Sequence, residues 1–391
     1  MSKNFKIIIM FLTVIAALAA IAIFARKNLK EDFQDTAPRE IFSDMKTTEI
    51  PEEKKYTAEE ISYYINPSGS DENNGKTRET PFKTIQKAVD LAMPGDVIYL
   101  LDGNYEQDII SKRNGTKENP ITITGSHAAA VKGGGGARAI EINHDHIVLE
   151  NFTIDGLHGD PKKQSGYRDK LIYVQGKEKG SGVTGLKITR MNIRNGGGEC
   201  IRLRYFAQEN EISKNTIQNC GVHDFVFNAG GKNGEAIYIG TAPEQRTDGK
   251  NPTSDIDRSD RNWIHDNKID TRGNECVDIK EDSSENIVEN NSCTGQKDKE
   301  SAGLDSRGSG NIFRNNEVFG NLGAGVRLGG DEKDDGIEND VYSNIIRDNR
   351  SGGIKIMREP QGKICSNDMA RNGKGNFVGD YAENFSNKEC D

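Results

Sequence analysis

Apolar residues are scarce in this sequence, since only 34% of its 391 residues are hydrophobic. A compact α/β enzyme of this length usually carries more aliphatic side chains, which argues against that class. Glycine is instead abundant, with 43 residues, and asparagine recurs along the chain. This composition favours an elongated repeat fold, in which each unit buries only a narrow apolar strip.

An excess of positive charge is also missing, because the formal net charge is −9. An acidic chain is poorly suited to non-specific binding of nucleic acid, so we expect no nucleic-acid partner. A polyanionic ligand would need a local basic patch. We expect the protein to be a monomer.

Metal-binding cysteine spacing is absent, because none of the six cysteines forms a CxxC or zinc-site pattern. Their number is compatible with disulfides in an exported protein. A bond between Cys365 and Cys390 would link the C-terminal tail to the last coil. For the cysteines at positions 200, 220, 276 and 293, disulfides and buried free thiols remain equally open.

One long apolar run is present, "IIIMFLTVIAALAAIAIF", from Ile7 to Phe24, with basic residues on both sides. Its length is near the ~20 residues that span a bilayer and is long for the apolar region of a signal peptide. We therefore expect residues 1–27 to be an uncleaved membrane anchor. Small residues such as Ala20 and Ala22 leave a cleaved signal segment as the alternative. Either form places the rest of the chain outside the cytoplasm, periplasmic or extracellular, and secreted if the segment is cleaved.

Residues 28–60 are charged and show no periodicity, which is typical of a solvated linker. The stretch "TPFKTIQKAVDLAMPGD" then predicts a helix from Thr80 to Ala92, with Thr80 as its cap and Pro81 at the first helical position. A Pro-Gly pair supplies the stop. A single amphipathic helix at the head of a strand-rich chain is well placed to cap the open end of a solenoid.

Short strand patterns recur through the second half of the chain. Six of them are "ECIRLR", "EAIYIG", "ECVDIK", "AGLDSRG", "AGVRLGG" and "GGIKIM". Their first inward aliphatic positions, from Ile201 to Ile354, follow one another at steps of 36, 40, 27, 22 and 28 residues. The shorter steps match one coil of a parallel β-helix, and the longer steps indicate loops inserted into a coil.

The asparagines support the same fold, because asparagine side chains at turns can bond the backbone of neighbouring turns. A β-propeller, with units of roughly 40 residues and four strands each, is poorly matched. We predict an all-β fold, a right-handed parallel β-helix of roughly ten coils. It would span residues 61–376 and be followed by a C-terminal tail at 377–391.

The stretch "YYINPSGSDENNGKTRETPFKTIQKAVDLAMPGDVIYLLDGNY" resembles the N-terminal cap of exported parallel β-helix proteins, including pectate-lyase-like polysaccharide lyases. The resemblance covers about residues 61–376. It implies the fold rather than a particular reaction.

Strand alternation assigns the faces of the six strands, with the aliphatic residues facing inward. The outward positions form two columns, of which the first is Arg202, Tyr238, Asp278, Asp305, Arg327 and Lys355 and the second is Arg204, Gly240, Lys280, Arg307, Gly329 and Met357. One face therefore carries a band of charge with basic residues in the majority. We predict that it binds an acidic polysaccharide through Arg202, Arg204, Tyr238, Asp305, Arg327 and Lys355. The alternative is a set of paired charges that only holds stacked strands in register.

A lysine and an arginine on adjacent coils suit β-elimination of a uronic-acid polymer. In that reaction a base removes the proton at carbon 5, a cation stabilises the enolate-like carboxylate and an acid assists the leaving oxygen at carbon 4. Lys280, which we expect at an exposed position, and Arg307 lie one coil apart. The pattern around them is similar to the polysaccharide lyase family that includes chondroitinase B and alginate lyases, where a Glu precedes the base Lys by five residues. The resemblance implies that Lys280 is the base, Arg307 the acid and Glu275 a calcium ligand.

The sequence departs from that family at two positions. The family's second Glu, two residues before Glu275, is Gly273 here, and Glu235 is the candidate replacement for an asparagine ligand on the preceding coil. We therefore predict Ca²⁺ ligation by Glu235, Glu275 and Asp278, with Glu281 in reserve. The alternative is that Glu235 and Glu275 face the turn interior and bond backbone amides. The acids beside the lysine would raise its pKa, and bound Ca²⁺ would reverse that effect.

A polysaccharide lyase is thus the predicted function. A non-catalytic carbohydrate-binding or surface-assembly protein is one alternative, and a carbon-5 epimerase, which shares the proton abstraction, is another. Glycosidase chemistry would need two carboxylates about a glycosidic bond, for which Asp278 and Asp305 are the candidates.

Overall fold

The computed structural model describes residues 55–390. The predicted anchor at 1–27 and residues 28–54 of the predicted linker lie outside these residues. Within the described part, no helix has the length and apolarity needed to cross a bilayer.

Three parallel sheets run along the chain, and the chain visits them in the same order coil after coil. The first sheet has 11 strands: Tyr63–Ile65, Val97–Leu100, Ile121–Gly125, Ile147–Glu150, Lys187–Thr189, Glu211–Ser213, Trp263–His265, Ile287–Glu289, Ile312–Arg314, Asp340–Tyr342 and Ile364–Cys365. The second sheet has 10 strands: Gly103–Tyr105, Ala129–Val131, Thr153–Asp155, Asn192–Arg194, Thr216–Gln218, Lys268–Asp270, Ser292–Thr294, Glu317–Phe319, Ile345–Arg347 and Asp368–Ala370. The third sheet has 10 strands: Ile109–Ile110, Arg138–Ile142, Lys170–Gln175, Ile201–Arg204, Ile237–Ile239, Val277–Ile279, Ala302–Ser306, Ala324–Leu328, Gly352–Ile356 and Phe377–Val378.

This architecture is the predicted all-β parallel β-helix, and its sheets are consistent with the right-handed form. The strand counts agree with the roughly ten coils expected from the repeat length. The register also follows the repeats, because the aliphatic row Ile201, Ile237, Val277, Leu304, Val326 and Ile354 is continuous across the third sheet. These side chains are fully buried in one core.

Asparagines stack in ladders at the turns. The ladder between the first and second sheets is Asn215, Asn267, Asn291, Asn316, Asn344 and Asn367. From Asn267 onward, each side-chain oxygen accepts from the side-chain amide and the backbone N–H of the preceding asparagine. A buried amide left without partners would cost about 1–3 kcal/mol, so the ladder explains how so many asparagines can be buried.

The helix near the start of the solenoid spans Ile85–Leu91 and begins later than the predicted Thr80. Its N-cap is Thr84, whose side chain accepts a backbone hydrogen bond from the first turn. The later start arises because Phe82 is held extended in a bridge with Ile65. The inward face of the helix packs in the core, and its role as an end cap stays a prediction. Among residues 55–390, the remaining helical segments are a short α-helix at Val222–Phe225 and 3₁₀ turns at Gln164–Gly166, Pro243–Gln245 and Ala382–Asn384.

All six cysteines form disulfides, paired as Cys200–Cys220, Cys276–Cys293 and Cys365–Cys390. The predicted link between the tail and the last coil is therefore confirmed. For the other four cysteines the open choice is decided in favour of disulfides. Each of these two bonds joins the start of a third-sheet strand to the following coil.

Candidate functional site

A polar cleft of about 390 Å³ opens on the outer face of the third sheet. Its lining includes Tyr238, Asp278 and Lys280, which belong to the two predicted outward columns. Residues 231–233 and the side chains of Glu244 and Gln245 also line it.

Three carboxylates from two consecutive coils converge in this cleft. Glu235 and Glu275 each stand two residues before the first aliphatic residue of a third-sheet strand, and Asp278 lies on the second of these strands. One carboxylate oxygen from each of the three lies within 4.8 Å of the others, and all three side chains are buried. The structure thus brings together the three residues that we predicted as the main Ca²⁺ ligands.

Two oxygens of this cluster, Glu275 Oε2 and Asp278 Oδ1, have no hydrogen-bond partner. In contrast, Glu235 Oε2 accepts the backbone N–H of Gly234 at 2.9 Å, and Glu275 Oε1 accepts the hydroxyl of Ser301. Buried carboxylate oxygens without partners are costly, and oxygens of this kind are the ligands that Ca²⁺ prefers. The donor set therefore fits a calcium ion.

The pKa values of the two glutamates in the cluster are raised. Burial, and then the carboxylates of Glu199 and Asp278, raise the pKa of Glu235 to about 7. Burial, and then the carboxylates of Asp278 and Glu235, raise the pKa of Glu275 well above its usual range. Without a cation, the cluster therefore holds a proton near neutral pH.

Lys280 lies beside the acidic cluster. Its Nζ is 2.8 Å from Asp278 Oδ2 and 4.7 Å from the centroid of the Tyr238 ring. The prediction of an exposed position is wrong, since Lys280 is only 8% exposed. Burial alone would lower the pKa of Lys280, but Asp278, Tyr238 and Glu235 together outweigh burial, and the pKa is raised well above its usual range.

Arg307 follows the next strand and lines the same cleft. Its Nη1 lies 3.1 Å from a carboxylate oxygen of Asp331 and 3.5 Å from one of Glu281. Burial opposes its charge, yet the carboxylates of Asp305 and its neighbours hold the pKa of Arg307 above its usual range. Glu281, the reserve ligand, faces Arg307 and is not among the three converging carboxylates.

Two predicted substrate-binding residues, Arg202 and Arg204, do not line the cleft. They are 3% and 2% exposed because residues 241–258, which we call the strap, fold over them. Arg202 donates to Gln245 Oε1 at 2.7 Å, while Arg204 donates to the backbone carbonyl of Gln245 at 3.1 Å and to Asp248 at 2.8 Å. Both side chains are on the outward face, as predicted, but a ligand in the cleft does not reach them.

The other four predicted substrate-binding residues lie in or beside the cleft. Tyr238 lines it, and the guanidinium of Arg202 lies 3.7 Å from the centroid of its ring. Arg327 also lines it and pairs with the fully buried Asp305 at 3.0 Å, so Asp305 positions Arg327. Lys355 lines it too, and its Nζ donates to a backbone carbonyl at 2.7 Å.

Sequence reasoning missed Glu199 and its cation Lys170. Glu199 is buried and forms ion pairs with Lys170 and, at 2.7 Å, with Arg202. Its carboxylate contributes to the raised pKa of Glu235. The signal was available in the sequence, as a glutamate two residues before the aliphatic start of each strand in "ECI", "EAI" and "ECV".

Gly273 gives a physical reason for the departure from the lyase pattern. A Cβ at this position would collide with the backbone carbonyl oxygen of Cys220 and lie 2.6 Å from that of Gly234. This coil therefore has no room for a second glutamate two residues before Glu275.

Several solved structures share this fold. An alginate lyase from Paenibacillus sp. str. FPU-7 is 19% identical, with a TM-score of 0.58 over 75% of this chain and 96% of that one. A GH136 lacto-N-biosidase from Eubacterium ramulus is 14% identical, with a TM-score of 0.54 over 84% of this chain and 67% of that one. A mannuronic acid specific polysaccharide family 6 lyase from human gut microbiota is 16% identical, with a TM-score of 0.52 over 76% of this chain and 80% of that one. At these identities the likeness shows the fold, and at that level it confirms the predicted resemblance to β-helical polysaccharide lyases.

Sequence comparisons identify one curated relative and one family. The uncharacterized protein YwoF of Bacillus subtilis (strain 168) is 29% identical over 140 residues, and the match spans 32% of this chain and 29% of that protein. A longer match, over residues 67–370, is to the family described as "Protein of unknown function (DUF1565)". Because this match includes most of the chain, the protein belongs to the DUF1565 family.

Proposed function

We propose that the protein is an extracytoplasmic polysaccharide lyase that cleaves a uronic-acid-containing polymer by β-elimination. The observation that carries the proposal is the convergence of Glu235, Glu275 and Asp278 next to Lys280 and Arg307 in one cleft. β-Elimination requires a base and a cationic group that stabilises the substrate carboxylate, and these groups are adjacent here.

Two further observations support the proposal. Proteins with this fold include one described as an alginate lyase and one described as a mannuronic acid specific lyase, which favours a uronic-acid polymer as substrate. The three disulfides favour an oxidising compartment outside the cytoplasm.

Lys280 is the proposed base. Its neutral amine takes the proton from carbon 5, the electron pair of that C–H bond forms the double bond between carbons 4 and 5, and the bond from carbon 4 to the leaving oxygen breaks. The raised pKa of Arg307 makes loss of its proton unfavourable, which argues against the acid role given to it from the sequence. We assign Arg307 to stabilising the negative charge on the leaving oxygen, which then takes a proton from water.

Glu235, Glu275 and Asp278 are the residues that would hold Ca²⁺. Bound there, the ion would neutralise the substrate carboxylate and so acidify the proton at carbon 5. Carboxylates committed to a cation stabilise the charge of Lys280 less, so its pKa would fall toward the range of a useful base. We therefore expect proton abstraction by Lys280 only in the calcium-loaded protein.

A screen of alginate, pectate and glycosaminoglycans, with calcium and with chelator, tests the proposal. The expected result is an ultraviolet-absorbing unsaturated product from at least one polymer, lost on chelation. The absence of such a product from all of them would reject the lyase.

The ion pair between Lys280 and Asp278 favours a second candidate, a non-catalytic carbohydrate-binding protein, because a protonated lysine binds anions but takes no proton. This candidate predicts polymer binding without any product. Exchange of the carbon-5 proton without chain cleavage would instead indicate an epimerase.

A further inference from the structure

The strap crosses the outer face of the third sheet on the N-terminal side of the proposed active site. Gln245 binds the guanidinium groups of both Arg202 and Arg204. Further along the strap, the backbone carbonyl of Lys250 accepts the side-chain amide of Gln175 at 2.7 Å. Gln175 lies one coil further from the cleft than Arg204. The strap therefore covers the outward positions of two successive coils.

The strap is a fixed wall rather than a movable cover. Near its end, the fully buried carboxylate of Asp257 accepts the backbone N–H groups of Tyr205 at 2.7 Å and Phe206 at 2.8 Å. In its middle, Arg246 forms an ion pair with Asp282. Lifting the strap would also break its bonds to two guanidinium groups, and charge-assisted bonds of this kind are among the stronger ones in proteins.

On the C-terminal side three cations line the cleft, of which Arg307 and Arg327 are also paired with carboxylates. Arg307, Arg327 and Lys355 stand on three successive coils, and all three are cleft residues. Because neighbouring strands lie about 4.8 Å apart, these cations form a track that leads away from the acidic cluster. An anionic polymer is attracted along this track and meets the strap at the other end.

We propose that the cleft accepts an anionic polysaccharide by one terminus only, with the remainder of the polymer lying along Arg327 and Lys355. The inference rests on the proposed lyase function and adds to it that cleavage is exolytic. Short products of fixed size then leave from one end of the polymer, and the strap determines that size.

The size of the earliest products tests this inference. Polymannuronate is digested with calcium, and unsaturated products are separated by size at low conversion. A fixed short product from the start, with the remaining polymer almost unchanged in length, is expected. Early products of every length would overturn the one-ended cleft while leaving the lyase function intact. If polymannuronate gives no product, polygalacturonate and a glycosaminoglycan are tested in the same way. If none of the three polymers gives a product, the lyase function and this inference are both rejected.

Binding stoichiometry gives a readout that does not need turnover. Calorimetry with Lys280→Arg and calcium measures how many protein molecules bind per polymannuronate chain, on a short and a long fraction. A one-ended cleft gives the same number per chain on both fractions, whereas a groove open at both ends gives a number that grows with chain length. The latter result contradicts the inference.

A variant of the strap tests whether the strap determines the product size. Replacement of residues 244–250 by a short Gly-Ser segment, leaving Asp257 in place, should convert the early products into a broad range of lengths. Thermal unfolding shows whether the variant folds. If it does not, the stoichiometry of the protein with its intact strap decides the question.

Discussion

Lys280 Nζ, directly after the strand Val277–Ile279, lies 2.8 Å from Asp278 Oδ2 on that strand, and the same Asp278 belongs to the carboxylate cluster. One residue therefore connects the proposed base to the proposed metal site. While Asp278 is available to Lys280, the lysine stays protonated; when a cation engages Asp278, that stabilisation is weakened. Metal binding and base strength are consequently coupled.

Lys280→Arg should abolish turnover while keeping the ion pair with Asp278, because a guanidinium does not give up its proton near neutral pH. General-base catalysis typically contributes ~10²–10⁴-fold, and we expect a loss of this order in the initial rate of product formation. Lys268→Arg, at an exposed position of the second sheet, is the matched control and should keep the full rate. If Lys280→Arg turns over the polymer at the wild-type rate, Lys280 is not the base. The charges of this strand would then only hold the stacked strands in register.

Lys280→Ala should be inactive and also less stable. The substitution leaves the buried carboxylate of Asp278 without its cation, which typically costs about 3–5 kcal/mol. Urea unfolding in chelator measures this loss, and calcium should restore part of it. An unfolding free energy equal to that of the unsubstituted protein would mean that water reaches Asp278 freely.

Calcium should raise the midpoint of thermal unfolding, because it binds the native carboxylates and not the unfolded chain. At a concentration of 100 times its Kd the expected gain is about 2.7 kcal/mol. Glu275→Gln should abolish this gain and raise the stability of the calcium-free protein, since an acid whose folded-state pKa is raised destabilises the fold above its usual pKa. Glu118→Gln, an exposed acid in a distant loop, is the control and should behave like the unsubstituted protein. A calcium shift that persists unchanged in Glu275→Gln would eliminate this cluster as the metal site.

The fold could be predicted from the sequence because each coil repeats the same physical requirement. An inward aliphatic position recurs once per coil, and the row from Ile201 to Ile354 follows the predicted register. The same periodicity placed Glu235 on one coil and Glu275 and Asp278 on the next, and the three carboxylates do converge. The sequence pattern therefore predicts on which coil a residue lies and whether it faces inward or outward.

The sequence pattern did not predict which of those positions are covered by other parts of the chain. Arg202 and Arg204 have the predicted orientation but lie under the strap, whose conformation depends on specific bonds such as those of Gln245 and Asp257. The buried position of Lys280 was likewise not predicted, because strand alternation alone would leave it exposed. Loop conformation has no period, so the pattern contains no information about it.

The single tryptophan should report the protonation of His265. Their rings are stacked with centroids 3.7 Å apart, on the first sheet. Burial alone would lower the pKa of His265, but hydrogen bonds and charges from Glu211 and Asp266 outweigh it and raise the pKa above 6.5. A protonated imidazole quenches indole fluorescence, so the emission of Trp263 should increase as pH rises, with a midpoint above 6.5.

The raised pKa of His265 also predicts that the free energy of unfolding depends on pH. Because the folded-state pKa of His265 is above its usual value of 6.5, its contribution is full below pH 6.5 and is lost as pH rises through the folded-state pKa. His265→Gln should remove both the fluorescence titration and this fall, whereas His127→Gln, an exposed histidine elsewhere, should keep both. A midpoint below 6.5 would show that the two acids do not stabilise the imidazolium.

The disulfide Cys276–Cys293 should support the metal site as well as the fold, because Cys276 is the residue next to Glu275. It closes a segment of 17 residues, and the double substitution Cys276→Ala/Cys293→Ala should lower the unfolding free energy by about 3 kcal/mol through the greater freedom of the unfolded chain. The matched control is Cys365→Ala/Cys390→Ala, which opens a segment of 25 residues at the tail and should cost a similar amount. Urea unfolding measures both losses. In calorimetry, only the first variant should bind calcium more weakly, since only there does the backbone before Val277 gain freedom. Equal calcium affinity in the two variants would mean that the stacked strands alone hold Glu275 in place.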